Sequence, residues 1–201
     1  KQLMESSGNA VARVVREVAD PGSEVAVVAG RGNNGGDAFV TARFLKAHDV
    51  TVHLLGRAET ITTDIARENW TALQRAEIDA REVKDSTALE LGEPDVIVDA
   101  MLGTGVTGAL REPEATAAEA IAATDATVVA VDVPSGIDAD TGTAPGTAVD
   151  ADHVVTFHDQ KPGLVDLDAA VTVADIGIPE AAELFVERGD LLRLSRDPQS
   201  H

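Results

Sequence analysis

From Leu3 to Val18 the apolar residues Leu3, Met4, Val11, Val14, Val15 and Val18 recur at helical spacing, while Glu5, Arg13, Arg16 and Glu17 fall on other faces. The pattern predicts an amphipathic helix stopped by Asp20-Pro21-Gly22. Glu24 to Gly30 then runs as a nearly continuous β-branched and small apolar segment, the signature of a strand buried on both faces. It enters a loop, Arg31-Gly32-Asn33-Asn34-Gly35-Gly36-Asp37, followed by a helix through Phe39, Val40, Phe44 and Leu45. Val50 to Leu55 reads as a strand, Thr63 to Arg75 as a helix carrying Ile65, Trp70 and Leu73, and Ile78 to Val83 as a weakly alternating strand. Asp95 to Asp99 and Thr127 to Val133 are further buried strands, separated by an alanine-rich helix from Pro113 to Ala123 with proline in its first turn. His153 to Phe157 and Val171 to Asp175 complete the strands, and Pro179 to Arg188 reads as a closing helix.

Strands alternating with helices imply right-handed crossovers and helices on both faces of the sheet. The expected fold is a three-layer α/β/α sandwich, Rossmann-like, with a mostly parallel sheet. In such sheets ligands bind beyond the carboxyl ends of the strands. Three polar loops leave strand ends here: Asn33 to Asp37, Asp99 to Gly108 and Asp132 to Asp138.

Composition narrows the function classes. Sixteen basic against 35 acidic side chains give a net charge of −19, which repels phosphate backbones and anionic membranes, so neither a nucleic acid nor a membrane is expected as partner. No cysteine is present, which removes disulfides, thiolate metal sites and cysteine nucleophiles. No apolar run approaches a membrane span, and the first residues carry no signal pattern, so the chain reads as cytoplasmic. It opens with Lys1 instead of methionine, consistent with trimming. The acid excess with only four lysines suits a cytoplasm loaded with salt, a halophilic adaptation; an ordinary acidic domain is the alternative.

The first loop contains Gly30-x-Gly32-x-x-Gly35, the spacing of a dinucleotide fingerprint. Asp37 reads as occupying the helix start, where its charge suits the dipole but not a phosphate, and a tight turn capped by Asp37 is the plainer alternative. Asp99 and Asp132 end apolar strands, where desolvation raises a carboxyl pKa unless a cation or donors compensate. Together they suggest acid–base work or a cation site; separately each could be a loop cap. Ser135 lacks a nucleophile elbow and reads as a hydroxyl ligand or a loop hydrogen-bonding group. The histidines form no zinc spacing. Lys161, in a loop after a strand, is either a solvated turn lysine or a group facing an anionic ligand.

The phrases Val28 to Asp37, Asp95 to Gly105 and Ala130 to Asp138, with Leu3-Met4-Glu5, Lys161 to Leu164 and Asp175 to Pro179, closely resemble the NAD(P)H-hydrate epimerase family, of the YjeF N-terminal type. The resemblance implies an isomerase that interconverts the R and S epimers of hydrated NADH and NADPH (NADHX and NADPHX). It implies substrate contacts from Asn33, Asn34, Gly35, Gly36 and Asp37 and from Gly103, Thr104, Gly105, Val106, Thr107, Gly108 and Ala109, with Asp132 at the reacting ring as the catalytic residue. It further implies that Asn34, Asp99 and Ser135 hold K+, and that the protein forms a homodimer. Two departures are Ser6-Ser7 after Met4-Glu5 and Arg31 in place of a common proline. The segment Arg196 to His201 resembles the entry to an ADP- or ATP-dependent NAD(P)H-hydrate dehydratase domain. The expected organisation is thus an epimerase-type domain over 1–190 and a linker or the start of a dehydratase domain over 191–201. Two other readings compete: an NAD(P)-linked oxidoreductase, with Arg57 as a 2′-phosphate contact, and a non-catalytic binding or scaffold module of the same fold.

Overall fold

The computed structural model describes residues 2–105 and 108–178. The expected closing helix, Val106, Thr107 and the segment 191–201 lie outside the described residues. Seven strands form one sheet: β1 (Glu24–Ala29), β2 (Asp49–Leu55), β3 (Asp79–Val83), β4 (Val96–Ala100), β5 (Thr127–Val131), β6 (His153–Phe157) and β7 (Ala170–Ala174). Their order is β3-β2-β1-β4-β5-β6-β7, and every pairing is parallel.

The helices are α1 (Gln2–Val18), α2 (Asn33–Phe44), α3 (Asp64–Arg75) and α4 (Glu114–Ala122). Strand alternation sorts the core into two layers. Val25, Val27 and Val98 face Val11, Val15, Phe39 and Trp70 from α1, α2 and α3. Ala26, Val28 and Ile97 face the other way, toward Ala117 and Ile121 of α4 and toward Val133, Val149 and Leu164 of the connecting segments. Each fully buried valine or leucine contributes roughly 1.5–3 kcal/mol, and the central strands, buried on both faces, contribute on both sides.

The chain winds outward from β1 to β3, then returns to place β4 on the other side of β1. Between β1 and β4 the connections therefore diverge, opening a crevice at the strands' carboxyl ends. Two boundaries differ from those expected. The helix after β1 begins at Asn33, one turn before Asp37, because the Asn-Asn-Gly-Gly stretch folds as its first turn. The fifth strand stops at Val131, not Val133, because Asp132 takes φ +69. Val133 N then donates to Val131 O at 2.9 Å, closing a three-residue turn of the rare positive-φ type.

Candidate active site

Three strand ends meet at the crevice. The turn from β1 into α2 fits because Gly30 and Gly35 lack side chains: a Cβ on Gly30 would lie 1.9 Å from Met101 O, and one on Gly35 would lie 2.0 Å from Gly30 O. Gly30 is thus demanded by backbone packing against the β4 loop, and Gly35 by its close approach to the Gly30 backbone within the same turn. Gly32 is the N-cap of α2, with no side-chain cap bond, so the first-turn N–H groups, rather than the Asp37 charge, mark the helix start.

At the end of β4, Asp99 is fully buried. Its Oδ1 accepts from Ser135 Oγ at 2.7 Å and from Met101 N at 3.2 Å, and its Oδ2 accepts from Ser135 N at 2.8 Å. Ser135 Oγ in turn accepts from Leu102 N at 3.1 Å, and Asn34 Nδ2 donates to Leu102 O at 2.8 Å. Asn34, Asp99 and Ser135 are therefore joined in one network through Leu102. Every donor to Asp99 is electrically neutral, and burial, opposed by the Ser135 and Met101 donors, leaves its carboxyl pushed up to about 6. The Asp99 carboxylate, the Ser135 hydroxyl, the Asn34 amide oxygen and the Leu102 carbonyl form an all-oxygen set around a buried negative charge, chemistry that suits a hard cation.

Asp132, one strand over, is held differently. Lys161 Nζ lies 2.9 Å from its Oδ1 and also donates to Phe157 O at 2.7 Å. Thr156 Oγ1 donates to the same Oδ1 at 3.2 Å, with Phe157 N at 3.5 Å. Its Oδ2 takes no hydrogen bond among the described residues, and the side chain keeps 15% of its surface exposed. A non-glycine residue with positive φ stores local strain, and such residues concentrate at functional sites. Lys161 thus faces an anion that belongs to the protein itself. The sequence carries no signal for this pairing or for Thr156, although Lys161-Pro162-Gly163-Leu164 is among the phrases that resemble the family.

Asp37 lies in the second turn of α2 and is buried. Burial first, then the neighbouring Asp132 charge, push its carboxyl up to about 8. No side-chain hydrogen bond reaches that carboxyl among the described residues. A cleft of about 500 Å³ brings these groups together, lined by Asn33, Asn34, Asp37, Gly103, Thr104, Gly105 and Asp132, with Arg31, Thr62 and Phe157 on its walls. Gly35 and Gly36 lie beneath it, against Gly30 and Met4 respectively, and Gly108 sits beside Leu102 and Ser135 in a smaller depression. Ala109 is exposed. A larger groove of about 880 Å³ between Arg43, Lys46 and Arg75 lies away from the strand ends.

Residues 1–163 match the family described as YjeF-related protein N-terminus. The chain is 46% identical to the bifunctional NAD(P)H-hydrate repair enzyme Nnr of Methanothermobacter thermautotrophicus, over 99% of this chain and 40% of that protein. It is 43% identical to the NAD(P)H-hydrate epimerase of Cenarchaeum symbiosum, over 91% of this chain and 88% of that one. The crystal structure of yeast ynu0 superposes with a TM-score of 0.80 at 28% identity, covering 92% of this chain and 84% of the yeast chain. This chain spans about two fifths of the length of the bifunctional relatives. A parallel sheet opened between β1 and β4, an Asn-Asn-Gly-Gly-Asp first turn and two strand-end aspartates converge with these matches: the chain belongs to the family of YjeF-related N-terminal domains.

Proposed function

We propose that this protein interconverts the R and S epimers of hydrated NADH and NADPH, and that Asp132 and Asp37 form its acid–base pair. The observation that carries the reading is the unequal holding of these two carboxyls. Asp132 is ion-paired through Oδ1 and keeps Oδ2 for a ligand, while Asp37 is a buried carboxyl that retains its proton near neutral pH. A buried acid raised toward neutrality beside an ion-paired carboxylate is an arrangement that suits acid–base work. Epimerisation at the hydroxylated ring carbon breaks the C–O bond, the hydroxyl leaving as water with a proton from the pair. Return of water to the opposite face of the iminium-like ring forms the bond again and gives the proton back. No electrons pass between enzyme and substrate, which separates this chemistry from that of an oxidoreductase.

Asn34, Asp99 and Ser135 would hold K+, joined by the Leu102 carbonyl. When bound, the ion supplies a positive charge that keeps Asp99 ionised and fixes the loop carrying Ser135. The names of the bifunctional relatives support an NAD(P)H-hydrate dehydratase as functional partner, fused or separate. No described helix is long and apolar enough to cross a membrane, which accords with work in the cytoplasm; the acidic charge supports a salt-rich one, and a homodimer is the assembly we expect.

The test supplies R-NADHX to the purified chain in K+ buffer and follows S-NADHX by chromatography, repeated in Na+. Acceleration over the spontaneous rate, reduced in Na+, is expected. A spontaneous rate with folded protein in either salt overturns the reading.

A further inference from the structure

Given the epimerase reading, on which this inference rests, the cleft has a chemical end and a remote end. Asp132 and Phe157 mark the first, at β5 and β6, and Arg31 and Thr62 mark the second, beside β1 and the start of α3. A dinucleotide whose reacting ring lies at Asp132 places its adenosine half toward β2, where parallel nucleotide-binding sheets distinguish a ribose hydroxyl from a 2′-phosphate. Three observations make Arg31 the group that meets it there.

First, Arg31 is the one basic side chain among the described residues lining the cleft, whose other charged members are Asp37, Glu114 and Asp132. In a chain of net charge −19, a phosphate needs a local cation to offset that field. Second, the guanidinium has no ion pair or hydrogen bond among the described residues. The other candidate, Arg57, is engaged with Glu59 at 3.4 Å on the open surface. Third, the arm is placed. Arg31 O accepts from Thr62 N at 2.8 Å and from Thr62 Oγ1 at 3.1 Å, tying the backbone across to the α3 approach. Its side chain passes over Gly56, the residue that follows β2, where a Cβ would come within 3.0 Å of Arg31 Cδ.

We propose that Arg31 is the 2′-phosphate anchor of this cleft, and that it makes the chain prefer NADPHX over NADHX. A planar guanidinium offers paired donors that match phosphate oxygens. Removing them affects the phosphorylated ligand selectively.

The experiment has a binding arm and a turnover arm. Calorimetry compares 2′-phospho-ADP-ribose with ADP-ribose on the wild type, Arg31→Gln and Arg57→Gln. The wild type and Arg57→Gln are expected to bind the phosphorylated probe at least about tenfold more tightly, a preference that Arg31→Gln loses. The turnover arm expects the NADPHX/NADHX ratio of kcat/KM to fall by a similar factor in Arg31→Gln alone. Equal binding of both probes by the wild type overturns the anchor even when epimer exchange is active, as does loss of preference in Arg57→Gln instead. An equal loss on both probes in Arg31→Gln assigns the arginine to the pyrophosphate and overturns it too. Selective binding without epimer exchange would uphold the anchor while overturning the epimerase.

Discussion

Asp99 and Asp132 leave neighbouring strands of one sheet, yet their surroundings are opposite. Asp99 is sealed from solvent, and both its oxygens are taken by neutral donors from the Ser135 and Met101 region. Asp132 sits on a strained turn with one oxygen bound to Lys161 and Thr156 and the other without a hydrogen bond among the described residues. Burial with both oxygens hydrogen-bonded ties the Asp99 carboxyl into the loop around it, whereas partial exposure leaves one Asp132 oxygen facing the cleft. Strand-end position alone does not distinguish the two roles. The donors do.

The largest effect should come from Asp132→Asn, which keeps the turn, since asparagine tolerates positive φ, but replaces the proposed base with a neutral amide. Epimer exchange is expected to fall at least about a hundredfold with the melting temperature little changed. Asp99→Ala reverses that pattern. It strands the Ser135 N–H and hydroxyl and the Met101 N–H in the interior, and is expected to cost about 3 kcal/mol of stability by denaturant titration. Stability within a few tenths of wild type would break the contrast. Lys161→Met, which leaves Asp132 with Thr156 and Phe157 N alone, should slow exchange by about tenfold while folding is retained, measured as kcat per folded molecule.

The smallest effect concerns Asp37. Its folded carboxyl is pushed from 3.8 up to about 8, so between those values the folded chain binds more protons than the unfolded one. Stability therefore falls as pH rises through that window. Asp37→Asn should flatten the decline in melting temperature between pH 5 and 8. An unchanged slope would show that Asp37 is not the buried acid.

The sheet was legible where strands are buried on both sides. Val25 to Ala29, Val96 to Val98 and Val128 to Val131 read as unbroken apolar runs because two layers of helix and coil cover them. β3 reads weakly because it is an edge strand, with Val83 alone among its residues buried. The start of α2 was misplaced because asparagine and glycine are poor helix formers; tertiary packing of Gly30 and Gly35 overrides that preference. In the site, residue types and strand ends were legible, but their electrostatics were not. Lys161 lies 29 positions from Asp132, and the short helical turn Pro162–Leu164 that follows it carries no periodicity linking the two. Likewise nothing in Val131-Asp132-Val133 announces a positive φ, since the strain is imposed by the pairing of Asp132 N with Val155 O at 2.8 Å and by the neighbouring turn.

The most direct measurement places the two strand-end variants side by side: R-to-S exchange of NADHX per folded molecule for wild type, Asp132→Asn and Asp99→Asn, with melting curves on the same samples. Exchange lost in a stable Asp132→Asn, together with lowered stability in Asp99→Asn, is the predicted result. Full exchange by Asp132→Asn would contradict the assignment of chemistry to the end of β5.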